Sequence, residues 1–488
     1  MFLAVAVFFA VMFAVAHYGR KMTGMGVEEY YLAGRKIGGF VAALTYSATT
    51  YSAYMMVGLV GYVWAGGVGA MGFELTYLIG TGMLLLIFAP RMLIAGRIWG
   101  LITPSEFLSK RYGSAAVGAL ASLICLVFLV PYTSVQATGP AYLLNRLTAG
   151  GISYEAGVLF TVAVTAVLAW WGGMRGVAWS DAIQALVMII TAIALLAFII
   201  QSTLGGLGAF VSSIEAEFPE LLTVPGPEAF FSFSRFLGLT VPWFFFALTN
   251  PQVSQRLFIP RSMDSLKLML RGFLVFGLIY TVICTLFGFS SRLIYPTLSS
   301  PDIAMPRLLS ERTPSLIAIV ASLGIMSAAV TTADSIVLSL GSMAARDIYR
   351  ALRPKASELE ELRIGKAIIV LMALAVLAFS WRPLGLIVEL SVLSSAGLLA
   401  VVPPVVGAFF WKGSTAHGAL AAMLVGAAMA GLLHFLRIYP LSQWPGVWAL
   451  ISSVFTFLIV SRLTRPPEGA AEFLGTLEEA LKEKNVGI

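Results

Sequence analysis

Five residues of one segment, Ala328, Thr331, Thr332, Ser335 and Ser339, fall on a single face when laid out at about 100° per residue. The segment, residues 327–349, is long and apolar enough to cross a bilayer, yet hydroxyls and the carboxylate of Asp334 interrupt it. A stripe of hydroxyls in hydrocarbon is costly unless it meets water, a partner helix or an ion. Hydrogen bonding between packed helices is its simplest use. Asp334 lies about 120° from the middle of the stripe, so it is expected to face another helix. A second carboxylate, Asp181, also sits in an apolar run, and a charge there is a functional candidate. The remaining reactive residues form no constellation. Cys125 and Cys284 lie in apolar segments with neither disulfide nor metal spacing, and His17, His417 and His434 stand apart near segment ends. A membrane enzyme would need a nucleophile, a base or paired carboxylates in register, and none is visible.

The elements that must hold these residues are membrane helices. Of 488 residues, 59% are hydrophobic and only 11% charged, with a mean hydropathy of +0.91. A soluble chain carries roughly twice that charged fraction, so the fold class is an all-α polytopic membrane protein in the lipid bilayer. Residues 1–18 are apolar and are followed, not preceded, by Arg20 and Lys21. A secretory signal has the opposite order, so this is read as an extra N-terminal span with its N-terminus outside. Apolar runs give about thirteen spans, near 1–18, 39–64, 70–95, 114–145, 154–172, 178–202, 232–252, 267–291, 314–345, 364–382, 384–411, 417–437 and 444–462.

With that orientation, 24 of the 31 Lys and Arg, Arg256 among them, fall in cytoplasmic segments. The loop near 203–231 has no Lys or Arg and four Glu. The net charge of +7 therefore reports topology and implies no nucleic-acid partner. The C-terminus is cytoplasmic, and the tail 463–488 carries Phe473, Leu474, Leu477 and Leu481 on one face of a short cytoplasmic or interfacial helix.

Two spans share a pattern. The second carries Thr45-Tyr-Ser-Ala-Thr-Thr-Tyr-Ser52, then Gly58 and Gly61; the seventh carries Pro242 and Thr249-Asn-Pro-Gln252. Polar, Gly/Pro-interrupted helices in corresponding positions of two halves indicate broken helices around a midplane site. Counting five spans from each gives repeats at 39–202 and 232–411, which an odd number of spans forces into inverted topology, with two further helices at 417–462.

Five stretches, in order from about residue 30 to 430, resemble the sodium:solute symporter family. They are Tyr30-Tyr-Leu-Ala-Gly-Arg-Lys-Ile-Gly38; Gly172-Gly-Met-Arg-Gly-Val-Ala-Trp-Ser-Asp-Ala-Ile-Gln184; Gln255-Arg256 with Ser262; Thr331-Thr332 with Arg346-Asp-Ile-Tyr349; and Phe410-Trp-Lys-Gly-Ser-Thr-Ala-His-Gly-Ala419. The resemblance implies a leucine-transporter-like fold, a 5+5 inverted repeat, and sodium-coupled uptake of a small organic solute across the plasma membrane. It implies Na+ ligands at the carbonyls of Ala48, Tyr51 and Ala328 and the hydroxyls of Thr331 and Thr332. Asp181 matches an acidic position that relatives use in a second sodium site or in sodium release.

Solute contacts are implied at Thr49, Thr50, Ser52, Glu74, Tyr132, Gln136, Trp243, Phe246, Pro251 and Ser335. Trp243, Tyr132 and Pro251 fall at solute-contacting positions of the proline branch, whose acidic residue is replaced by Thr50. The sugar branch has Asn at the Trp243 position and a gating Tyr where this chain has Phe246. An aromatic pocket offers few partners for a ring of sugar hydroxyls. A small amino acid such as proline is the first expectation, and pantothenate or a short monocarboxylate the second. A transporter-like sensor is the rival from another class, but the tail after residue 462 is too short for a kinase domain.

Overall fold

The computed structural model describes residues 2–22, 24–382 and 387–484. Met1 of the first expected span, residues 384–386 at the start of the eleventh, and residues 485–488 of the tail lie outside the described residues. Among the described residues the secondary structure is helical throughout, apart from one isolated bridge between Ile37 and Pro260.

The long helices are α1 (Phe2–Lys21), α2 (Gly39–Thr50), α3 (Val60–Gly66), α4 (Val68–Ile98), α5 (Ala115–Leu147), α6 (Tyr154–Phe198), α7 (Phe233–Phe244), α8 (Met263–Ile294), α9 (Ser315–Met343), α10 (Glu358–Ser380), α11 (Ile387–Leu398), α12 (Val402–Phe410), α13 (Ala416–Phe435), α14 (Pro445–Leu463) and α15 (Ala470–Glu483). Polar residues set several of their starts. Ser153, Ser262 and Thr415 cap α6, α8 and α13 by accepting backbone N–H groups of the first turn, and Ser357 and Glu360 form a capping box on α10.

Ten helical stretches among the described residues are long and apolar enough to cross a membrane. That is three fewer than the sequence-based expectation, and the difference falls where helices are broken or fused. Residues 154–203 run as one stretch, but Gly173 inside it has φ 57° and ψ −173°, which turns the chain. A Cβ there would meet Tyr30 at 2.9 Å, so the sharp turn needs glycine for both conformation and space. The segment 39–66 is interrupted after α2: Tyr51 is extended (φ −93°, ψ 95°), and a π-helical turn, Tyr54–Leu59, leads into α3. The segment 233–258 is interrupted after α7, and Asn250 is extended (φ −95°, ψ 108°) because Pro251 excludes the helical conformation from the residue before it.

Lipid-facing and buried surfaces divide cleanly. On α4, Ile79, Met83 and Leu86 are exposed on one face, and large apolar side chains of α5, α10 and α14 are exposed likewise. At the centre stands α9, buried on every side from Gly324 to Met343 and packed against α6 and α2. At one end of the bundle arginines are tied to backbone carbonyls of distant segments. Arg20 donates to Trp171 O (2.8 Å), Arg97 to Pro260 O (2.9 Å), and Arg111 to Ala408 O (3.2 Å) and Trp411 O (3.0 Å). The apolar face of α15, with Phe473, Leu474, Leu477 and Leu481 all buried, packs on this end. Phe473 stacks on Trp99 at 3.9 Å, so the tail helix docks on protein.

Candidate functional site

The break after α2 frees carbonyls. The last ladder bond of α2 is Tyr51 N–H to Ser47 O (2.9 Å); beyond it Ala53 N–H turns to Gln136 Oε1 (3.1 Å) and Tyr54 N–H to Ser52 Oγ (3.2 Å). Ala48 O and Thr49 O are met instead by hydroxyls of α9. Thr331 Oγ1 lies 2.9 Å from Ala48 O, 2.9 Å from Ser327 O and 3.4 Å from Ala328 O; Thr332 Oγ1 lies 3.4 Å from Ala48 O and 3.1 Å from Thr49 O. Ser327 O and Ala328 O lie inside the continuous helix α9 and take its ladder bonds, so the two hydroxyls serve the two carbonyls that the break frees, Ala48 O and Thr49 O. Buried carbonyl and hydroxyl oxygens gathered in this way are the donor set that a hard cation takes. Ala48, Ala328, Thr331 and Thr332 are thus brought together. Tyr51 stands at the break itself, with its ring stacked on Phe273 and Phe276 (5.7 and 5.8 Å between centroids).

Asp181 has a partner that its apolar run does not reveal, and Arg256 is not a loop cation. Both are fully buried, and Arg256 Nη2 pairs with Asp181 Oδ2 at 3.0 Å. Thr45 Oγ1 donates to the same carboxylate oxygen (2.7 Å) and accepts from Arg256 Nε (3.2 Å). Arg256 also donates to Gln252 O (2.8 Å) and Ser335 Oγ (2.5 Å). Ser335 links the ion pair to the oxygen cluster, because its Oγ lies 2.6 Å from Thr331 O and 3.1 Å from Thr49 Oγ1. Asp334 joins through the same serine, Ser335 Oγ lying 3.2 Å from Asp334 Oδ1, while Asp334 Oδ2 and Asp181 Oδ1 have no hydrogen-bond partner.

A third group forms around Trp243, which is buried with its Nε1 unpartnered. Its ring centroid lies 5.4 Å from Tyr54, 5.9 Å from Tyr132, 6.1 Å from Tyr77 and 5.2 Å from Phe246. Tyr54 donates to Glu74 Oε2 (3.2 Å), and Tyr132 to Ser52 Oγ (3.4 Å). The solute residues expected from sequence therefore separate. Ser52, Glu74, Tyr132, Gln136, Trp243 and Phe246 gather around the aromatic cluster and the adjoining break. Thr49 and Ser335 belong to the ion-pair network, Thr50 bonds back to Tyr46 O within its own helix (2.7 Å), and Pro251 shapes the second break. Thr45, Tyr54, Tyr77 and Arg256 were not among the expected site residues. Arg256 carried a signal, since it stands in one of the family-like motifs.

A helical bundle whose broken helix meets hydroxyls of a central helix in a buried oxygen cluster is the architecture of an ion-coupled membrane transporter. The chain belongs to the sodium:solute symporter family, which residues 30–426 match. It is a multi-pass membrane protein and a sodium-coupled transporter, with Na+ as coupling ion. It is 29% identical to the sodium/pantothenate symporter of Escherichia coli K12 over 468 residues, covering 94% of this chain and 96% of that one. It is 26% identical to the osmoregulated proline transporter of Bacillus subtilis 168 over 501 residues, covering 99% of each. Its fold matches a substrate-bound, outward-open Na+-coupled sialic acid symporter with a TM-score of 0.79 at 19% identity, covering 95% of this chain and 98% of that one. A closed nucleobase-cation-symport-1 transporter matches with a TM-score of 0.58 at 13% identity, covering 94% and 96%. The leucine-transporter-like fold expected from sequence is the fold observed.

Proposed function

We propose that the protein couples inward sodium movement to uptake of a small amino acid, proline being the first candidate, by alternating access across the plasma membrane. One observation carries the coupling: the carbonyls of Ala48 and Thr49, freed where a membrane helix breaks, meet the buried hydroxyls of Thr331 and Thr332. Tyr51 adds a fifth ligand to Ala48, Ala328, Thr331 and Thr332, and Asp181 acts from one network away. The positive-inside distribution supports thirteen spans, an outside N-terminus, a cytoplasmic C-terminus and inverted repeats at 39–202 and 232–411. The broken segments at 39–66 and 233–258 and the turn at Gly173 inside the 154–203 stretch are compatible with three spans more than the ten helical stretches.

A sodium-driven pantothenate or monocarboxylate symporter is the second reading, favoured by the similarity to the Escherichia coli sodium/pantothenate symporter. The deciding experiment is uptake of a panel of labelled solutes into proteoliposomes with and without an inward sodium gradient. Uphill accumulation that requires the gradient is expected. Equal uptake without it refutes sodium coupling.

A further inference from the structure

The end of the bundle opposite the carbonyl-tied arginines holds a cavity of about 680 Å3. It lies where α3 ends and α7 begins, just before the first turn of α4, whose 31 residues carry Arg97 to the far end. Trp64, Glu228, Phe230, Arg235, Arg292 and Trp444 line it, and none of them belongs to the oxygen cluster, the Asp181–Arg256 pair or the group around Trp243. Both guanidinium groups lie over aromatic rings. Arg292 sits 4.8 Å from the Trp64 centroid and 5.1 Å from that of Phe218, and Arg235 sits 4.2 Å from that of Phe230. A guanidinium stacked by its face keeps its N–H edge free for an acceptor. Arg235 gives one N–H to Phe230 O (2.8 Å). Arg292 Nε is buried without a hydrogen-bond partner, and no carboxylate pairs with either arginine among the described residues. A buried donor left in that condition is costly until an acceptor reaches it.

Glu228 opposes an anion here, but it is exposed and screened by water, so two cations face one solvated carboxylate. The start of α7, two residues before Arg235, adds the positive end of a helix dipole. Two coplanar oxygens match the edge of a guanidinium in a way that a single atom does not. We infer that this cavity is a carboxylate-binding site at the outer mouth, where Arg292 and Arg235 hold the anionic group of a solute before it reaches the break after α2. The entry role rests on the solute-transport reading and orientation above; the carboxylate site does not.

Trp64 and Trp444 line the cavity and report on it. Purified protein in sodium-free buffer is titrated with potassium acetate, potassium chloride and acetamide, the neutral isostere of acetate, while tryptophan fluorescence is followed. A saturable response to acetate is expected, with none to acetamide and one about tenfold weaker to chloride. Arg292→Gln should abolish the acetate response, and Arg292→Lys, which keeps the charge and loses the fork, should weaken it about fivefold, both at the wild-type unfolding temperature. No saturable acetate response, or an equal one to chloride, overturns the carboxylate assignment. A response lost only together with a lowered unfolding temperature makes Arg292 structural and overturns it too. In proteoliposomes under one sodium gradient, labelled L-proline and pantothenate both present a carboxylate. Arg292→Gln should raise the half-saturating concentration of the one that accumulates by about fivefold. Acetate binding with unchanged half-saturation marks a site for free anions and overturns the entry role. Accumulation of neither solute counts against the transport reading, and the acetate titration still decides the site. Uptake that responds to Arg292→Gln but ignores the sodium gradient refutes the coupling reading alone.

Discussion

Asp181→Asn keeps the shape of the side chain and strands the guanidinium of Arg256. The two charges lie 3.0 Å apart and are both fully buried. With an effective dielectric constant near 20, their attraction is about 5–6 kcal/mol, and removing one partner of such a pair typically costs about 3–5 kcal/mol. Asp181→Asn and Arg256→Gln should each lower stability by about that amount. The double variant should be more stable than either single one and recover most of the loss, since it strands neither charge. The assay is denaturant unfolding of purified protein followed by tryptophan fluorescence. Sodium affinity supplies the sign. Ser335 connects Arg256 to Thr331 O, so an unpaired guanidinium should repel a cation at the oxygen cluster and an unpaired Asp181 should attract one. The half-saturating sodium concentration is therefore expected to rise in Asp181→Asn and fall in Arg256→Gln. Strictly additive stabilities, or shifts of sodium affinity in the same direction, would refute this account of the network.

Thr332→Ala removes one ligand from the oxygen cluster, at a cost of about 1–3 kcal/mol, and should raise the sodium concentration for half-maximal uptake at least tenfold; unchanged sodium dependence in a folded variant counts against the cluster. Trp243→Ala should abolish high-affinity solute binding and leave sodium-dependent fluorescence nearly intact, whereas a purely packing tryptophan would lower stability and spare solute affinity. Asp302, in the loop before α9, is held at a pKa of about 6 chiefly by burial, opposed by the Ile387 N–H that it accepts and assisted by the charge of Glu389. Its folded-state pKa lies above the unfolded value of about 4, so its contribution to stability is complete below about pH 4 and is lost as pH rises through 6. Comparing unfolding between pH 4 and 7 in wild type and Asp302→Asn should show the wild type losing roughly 3 kcal/mol relative to the variant; parallel profiles would contradict it.

Much of this architecture is written in short-range patterns. Apolar runs locate the membrane helices, and the Thr45–Ser52 and Thr249–Gln252 clusters mark both interruptions, because hydroxyls and Pro announce where a helical ladder is given up. Helical periodicity puts Thr331 and Thr332 on one face, and the structure turns that face to Ala48 O and Thr49 O. The Asp181–Arg256 pair was not legible. The partners are 75 residues apart, and positive-inside counting assigns an arginine to a loop whenever it lies just beyond an apolar run. Likewise nothing in the sequence marks Tyr54 as a partner of Glu74; the π-helical turn after the break brings its hydroxyl there. The tail helix was legible as amphipathic, but amphipathicity is silent on whether lipid or protein covers the apolar face. Here Trp99 does.

The arginines tied to carbonyls have a consequence for the membrane around the protein. A carbonyl takes up hydrogen-bonding directions without cancelling charge, so Arg20 and Arg97 fasten distant segments together and, among the described residues, pair with no carboxylate, while Arg111 does the same fastening from a buried position. Each such charge near a bilayer surface favours anionic headgroups by about 1 kcal/mol. The end of the bundle that these residues seal is thereby also the end expected to favour acidic phospholipid. Protein extracted into a neutral detergent keeps its fasteners but loses its counterions, and reconstitution into phosphatidylglycerol-containing vesicles should restore them.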